Sequence, residues 1–213
     1  MNWLAKTIGS SIGKKLLMAV TGLGFCGFLV VHLAGNITLY KGGDAFNAYA
    51  ERLHSLGALL KVAELGLFLF AMVHIIAGIW TFYENRRARP VGYLVKKNAG
   101  GQTIGAATMP YTGLSLLAFV ILHLTNFSFV DKTDTTIFEI ISNTFSNSLY
   151  VLLYCAGVIA AAVHVSHGFW SAFQTMGANH PKYMRLIKTL SIVLSILIGV
   201  GFGSLPVYVS LIY

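Results

Sequence analysis

Four histidines, His32, His74, His123 and His164, stand in long apolar stretches, one to a stretch. An ionisable side chain inside a membrane segment is costly and usually serves a function. One buried histidine is ordinarily an interhelical hydrogen-bonder; one in each of four successive stretches is a different pattern. Neutral imidazole is a good axial ligand for haem iron. Zinc would ask for three or four ligands at one depth, often with cysteine or carboxylate, and no such set is present in the sequence. Cys26 and Cys155 sit singly in apolar runs and read as small buried hydrophobes. There is no Cys-x-x-Cys-His for covalent haem and no cysteine cluster for an iron–sulfur centre.

The elements that hold these histidines follow from composition. Of 213 residues, 56% are hydrophobic and only 10% charged, whereas a soluble domain is about 25% charged. So few charges cannot cover a soluble globule, and the class is membrane. A bilayer core needs roughly 20 apolar residues in a helix. Five stretches qualify: 16–40, 58–83, 108–130, 147–173 and 186–211. The expected fold is all-α, one transmembrane domain over residues 1–213, a bundle of five spans. The first span follows Lys6, Lys14 and Lys15 as a signal peptide would. It is longer than the roughly 7–15 residues of a signal's apolar core and is expected to be retained. Pro90, Gly92, Gly100, Gly101 and Gly105 mark the second connection as a polar loop. No internal repeat or low-complexity segment stands out.

Charge then orients the spans. The N-terminus and the second and fourth connections carry Lys6, Lys14, Lys15, Arg86, Arg87, Arg89, Lys96, Lys97, Lys182, Arg185 and Lys188 against the single Glu84. The opposite side carries Lys41, Arg52, Lys61 and Lys132 against Asp44, Glu51, Glu64, Asp131, Asp134 and Glu139. Lys and Arg mark the cytoplasmic face. The N-terminus is therefore expected in the cytoplasm and the C-terminus outside. The formal net charge of +8 is explained by this asymmetry, and no nucleic-acid partner is expected.

Depth sorts the histidines. His32 lies eight residues before Tyr40, and His123 eight before Asp131, so both sit about 12 Å below the outer surface at 1.5 Å per residue. His74 and His164, on spans running the other way, precede Arg86 and Gln174 and sit nearer the inner surface. The expectation is two bis-histidine haems stacked across the membrane, His32 with His123 and His74 with His164. Gly78 and Gly168 follow His74 and His164 by four residues, one turn away on the same face, where a flat ring could approach the backbone. General helix packing also uses such glycines. Phe28, Phe119 and Phe127 flank the outer ligands at the same spacing and could face either a porphyrin or lipid. His167 is an alternative ligand to His164, and His180 reads as a surface or subunit contact.

These residues bring a resemblance into view over nearly the whole chain. Met18-Ala19-Val20-Thr21-Gly22 and Val31-His32-Leu33 lie in the first span. Phe46-Asn47-Ala48-Tyr49-Ala50 and Val62-Ala63-Glu64 lead to Val73-His74-Ile75. Leu122-His123 follows, then His164-Val165-Ser166-His167-Gly168-Phe169-Trp170-Ser171-Ala172-Phe173-Gln174 and Asn179-His180-Pro181-Lys182-Tyr183. In these the chain is similar to the single large membrane anchor of di-haem succinate:quinone oxidoreductases, the succinate dehydrogenases and menaquinol:fumarate reductases of the cytochrome b558 type. The resemblance implies an anchor in the bacterial cytoplasmic membrane. It would hold a flavoprotein subunit and an iron–sulfur subunit on its cytoplasmic face and pass electrons between them and a quinone, menaquinone being expected. It also implies a proximal haem b on His74 and His164 and a distal one on His32 and His123. A dimeric complex stays open. The succinate or fumarate chemistry would belong to the partners, since this chain has no dinucleotide fingerprint and no cluster cysteines. The family members with a transmembrane proton path carry a glutamate two residues before the fourth-span ligand; here that position is Ala162.

A quinone needs an apolar slot, hydrogen-bond donors and a group that exchanges protons. Asn36, Tyr40, Glu51, Arg52 and His54, at the outer ends of the first two spans, offer such a set. Among them His54, with Glu51, would take the proton, because imidazole titrates near neutral pH. The same residues could simply cap the second span in the headgroup region, and a quinone site on the inner side is the alternative. Two rival functions stay open. One is a di-haem anchor of a hydrogenase or formate dehydrogenase, towards which only His164-x-x-His167 leans. The other is a haem-free transporter or assembly factor using histidines as proton relays.

Overall fold

The computed structural model describes residues 3–88, 91 and 103–213. Among them the chain is all helical: α1 (Trp3–Gly9), α2 (Ser11–Asn36) running into a 3-10 turn (Ile37–Lys41), α3 (Gly43–His54), α4 (Ala58–Ala88), α5 (Ile104–Phe127), α6 (Ile137–Phe145), α7 (Ser148–Thr175) and α8 (Pro181–Ile212). Five of these, α2 with its 3-10 extension, α4, α5, α7 and α8, are long and apolar enough to cross a membrane. The chain is a multi-pass membrane protein. Its outward faces are apolar, with Val31, Leu65, Leu114 and Val200 each more than half exposed, as suits helices that meet lipid.

The helices begin where side chains can satisfy their free N–H groups. Ser10 accepts from the Gly13 amide at 3.1 Å, Thr103 from Ala106 at 3.1 Å, and Asn147 from Leu149 at 2.9 Å. His180 takes the same role for α8, accepting from the Lys182 amide at 3.2 Å, with Pro181 as the first helical residue. His180 is therefore a helix cap. Gly42, at φ 96°, makes the reversal into α3 that a side chain would oppose.

Two helices lie in segments expected to be connections. Thr136 and Glu139 form a reciprocal capping box at the start of α6. The Phe138 amide donates to Asn47 Oδ1 of α3 at 3.1 Å. With the 3-10 turn, α3 and α6 cover one end of the bundle, here called the capped end. The opposite end carries Lys14, Arg86, Arg87 and Lys188 and is the basic end. There Lys14, only 9% exposed, meets both carboxylate oxygens of Glu84 at 2.6 Å, and Trp80 Nε1 donates to the same carboxylate at 2.7 Å. This ties α2 to α4. Arg89, Pro90, Gly92, Lys96, Lys97, Gly100 and Gly101 lie outside the described residues.

Packing arranges four spans as a ring. α2 lies between α4 and α7, and α5 packs on the other side of α7, while α4 and α5 barely meet. The diagonals of the ring are thus α2 with α5 and α4 with α7. α8 stands outside and packs chiefly on α7. Ser191, Ser195, Gly199 and Gly203 recur every turn along it, and such small residues let two backbones approach in a membrane. Ser191, fully buried, donates to the Ser166 carbonyl at 2.6 Å, and Ser195 to the Ala162 carbonyl at 2.7 Å. Gly157 of α7 leaves room for the Phe119 ring, which a Cβ there would strike.

Candidate site: two histidine pairs on the bundle axis

The four histidines meet two by two across the diagonals. The rings of His32 (α2) and His123 (α5) lie 5.9 Å apart, centre to centre, and those of His74 (α4) and His164 (α7) lie 6.3 Å apart. A metal–imidazole nitrogen bond is about 2 Å, and the ring centre lies roughly 1 Å beyond the nitrogen, so two imidazoles trans on one metal set their centres about 6 Å apart. Both spacings fit a bis-histidine haem. Among the described residues no group of three or more His, Cys, Asp or Glu gathers as a metal site.

Ring nitrogens and close neighbours sharpen the fit. Thr21 Oγ1 donates to the Leu17 carbonyl at 2.7 Å and faces His74 Nδ1 at 3.0 Å. Thr112 Oγ1 donates to the Thr108 carbonyl at 3.1 Å and faces His164 Nδ1 at 3.1 Å. A hydroxyl has one proton. With it given to the backbone, each threonine accepts from an Nδ1–H and leaves Nε2 with its lone pair for iron. Beside these threonines, a Cβ at Gly22 would come within 3.2 Å of His74 and one at Gly113 within 3.5 Å of His164. Gly78 and Gly168 are approached only by the tips of Met18 and Met109, 3.8 Å from where a Cβ would sit.

The pair near the capped end is dressed differently. Phe28 stacks on His32 with centres 5.1 Å apart, and Phe202 of α8 lies 5.6 Å away. Phe119, Phe127 and Tyr154 surround His123. The three phenylalanines named from sequence spacing therefore face the imidazoles. Tyr154, buried, receives the Asn126 amide at 3.2 Å; neither was foreseen, since a lone tyrosine in an apolar run signals nothing. His167 does not face His74. Its Nδ1 meets Thr103 Oγ1 at 3.1 Å and its ring packs on Trp170. Ala162 abuts α8, with 3.3 Å between its Cβ and a Cβ at Gly199.

The residues proposed for quinone fall into two groups. Asn36 donates to the His32 carbonyl at 2.8 Å, and Tyr40 donates to Ser204 at 2.7 Å and packs on Tyr208. Glu51, Arg52 and His54 are exposed at the far end of α3, where His54 Nδ1 donates to the Ala50 carbonyl at 2.7 Å. Between the groups Tyr49 packs its phenol on Gly35, so that α3 crosses the end of α2. Tyr49 was not foreseen as part of this site.

The threonines expose a repeat that was not apparent from composition and spacing. Met18-x-x-Thr21-Gly22-Leu23, then Phe28 and His32-Leu33, recurs as Met109-x-x-Thr112-Gly113-Leu114, then Phe119 and His123-Leu124. Ala71-x-Val73-His74, then Gly78 and Trp80, recurs as Ala161-x-Val163-His164, then Gly168 and Trp170. The absence of a repeat expected above is thus corrected. Contiguous identity is short and gaps are filled with interchangeable apolar residues, so only the contacts pick it out. The landmarks of helix pair α2–α4 thus recur in helix pair α5–α7, and each histidine pair joins one copy of the pattern to the other.

Among known proteins, the chain is similar to the succinate dehydrogenase cytochrome b558 subunit of Bacillus subtilis (strain 168), 24% identical over 173 residues, which cover 78% of this chain and 81% of the relative. No family model and no solved structure matches the chain. With five candidate membrane spans among its described residues, the chain is a multi-pass membrane protein with a general likeness to a bacterial cytochrome b558 subunit.

Proposed function

We propose that the chain is the membrane anchor and electron-transfer subunit of a succinate dehydrogenase or fumarate reductase complex. The observation that carries this is the pair of imidazole pairs, each spanning a bundle diagonal at the separation of two ligands on one iron. His74 and His164 hold a proximal haem b, and His32 and His123 a distal one. Haem iron supplies a one-electron couple when bound. Gly22, Gly78, Gly113 and Gly168 keep bulk away from the proximal pair, and Phe28, Phe119, Phe127 and Phe202 exclude water from the distal pair. The likeness to a succinate dehydrogenase cytochrome b558 subunit supports the same reading.

The basic end faces the cytoplasm by the positive-inside rule and receives an iron–sulfur subunit with its flavoprotein. The capped end lies outside and receives the quinone, which we take to be menaquinone, at the Arg52 end of α3, apart from Asn36 and Tyr40, which are engaged by His32 and Ser204. His54 and Glu51 exchange its protons. Purification in mild detergent tests the reading. A Soret band, two haems per chain and a co-purifying flavoprotein and iron–sulfur protein are expected. A colourless preparation would overturn it in favour of a haem-free protein, and a co-purifying hydrogenase or formate dehydrogenase would reassign the complex. The site for quinone has its own test. His54→Ala and Glu51→Gln should each lower quinone-linked turnover about a hundredfold, the usual scale for losing a general base. Both haems and dye-linked activity should persist. Normal quinone kinetics in both variants, or a quinone bound only at the basic end, would move the site.

A further inference from the structure

The two histidine pairs differ in what meets their ring nitrogens. His74 and His164 each present Nδ1 to a threonine oxygen whose own proton is already committed to the backbone. His32 meets only the Asn36 side-chain amide, a donor, at 3.4 Å, and no hydrogen bond to the ring of His123 is found among the described residues. The threonines occupy the same place in both copies of the repeat, eleven residues before the capped-end ligand. Eleven residues are about three full turns and about 16 Å. Each threonine is therefore on the same helix face as that ligand, one cofactor layer deeper.

We infer that Thr21 and Thr112 are positioning residues that fix the ring orientation and tautomer of His74 and His164 and lower the reduction potential of the iron these hold. The inference rests on the proposed haem site and extends it. An Nδ1–H that donates to an oxygen makes imidazole more basic. A more basic ligand favours ferric over ferrous iron, since the ferric ion carries the extra positive charge. Among the described residues the capped-end pair has no acceptor of this kind, so the adjustment acts on one layer alone.

The test is a potentiometric and low-temperature EPR study of the purified complex carrying Thr112→Val, Thr21→Val, Thr112→Ser and, as a control, Ser115→Ala. In Thr112→Val the ferrous-to-ferric ratio of one haem at a fixed potential should rise about tenfold, a midpoint shift of about 59 mV for one electron. The low-spin signal of that haem should move and the other haem should keep both its potential and its signal. Thr21→Val should shift the same haem in the same direction. Thr112→Ser should restore the wild-type values, and Ser115→Ala should leave them alone. Unchanged midpoints and signals in both valine variants would overturn the inference while leaving the haem assignment standing. Loss of the haem from Thr112→Ser as well as from Thr112→Val would also overturn it, making the residue a packing element. A wild-type protein with no haem would overturn the functional reading and this inference with it.

Discussion

Alanine at His74 or at His164 should remove one of the two proposed haems and leave the other; alanine at His32 or at His123 should do the converse. The haem content of the purified chain should fall from two to one, and one of two steps in a redox titration should vanish. The expectation follows from the diagonals. Each pair is built from one helix of each repeat copy, and α4 and α5 barely touch, so no other imidazole can replace a lost one at its layer. His167 stands only three residues from His164, but its ring is engaged by Thr103 and Trp170. His167→Ala should therefore keep both haems. Two haems in all four single variants would refute the assignment, and loss on His167→Ala with retention on His164→Ala would shift the α7 ligand by one turn.

Reversal of Arg86, Arg87 and Arg89 to glutamate should release the soluble subunits and leave the haem spectrum intact. Arg86 and Arg87 are exposed at the end of α4, with the Arg86 guanidinium 5.6 Å from the Phe82 ring centre. Lys14 is different: it is buried and held by Glu84, and is not offered to a partner. Charges at an interface rim act on encounter and on salt dependence. Like charges brought together by the reversal should weaken docking by tenfold or more. Co-purification of the partners, measured beside the absorbance of the anchor, checks this. A fully active complex surviving a salt wash with all three charges reversed would assign the arginines to membrane topology alone.

Much of the site was legible in the sequence because depth in a membrane is a linear quantity. Counting from charged ends placed His32 beside His123 and His74 beside His164, and their rings do meet in those pairs. The spans were legible for the same reason, though α2, α5 and α8 start four or five residues earlier than apolarity alone suggests and α4 runs on to Ala88. There, polar residues such as Lys14 and Glu84 continue the helix by pairing with each other. The short helices were lost because they are amphipathic and sit among loop residues, although Thr136-x-x-Glu139 was a visible start signal. The quinone candidates share a segment of sequence but not a neighbourhood. Nothing in the residues tells that α3 turns back at Gly42 and carries His54 some 16 Å from Tyr40, at 1.5 Å per residue along its axis. The threonine clamps were missed because a hydroxyl in an apolar helix usually bonds its own backbone. Thr21 and Thr112 do that and something more.

The eleven-residue interval from each clamp to each ligand has a consequence for how this chain can vary. The letters between Leu23 and Phe28 are Gly-Phe-Cys-Gly, and those between Leu114 and Phe119 are Ser-Leu-Leu-Ala. None is shared, so the two helices meet different neighbours there, Gly24 giving room to Phe70 and Cys26 lying buried. The length is shared. One residue added or removed would swing the threonine about 100° away from the histidine on its own helix, spoiling one layer or the other whichever way the helix turned to compensate. Between their landmarks these two helices can differ in residue, each to suit its own neighbours, but should tolerate no insertion or deletion.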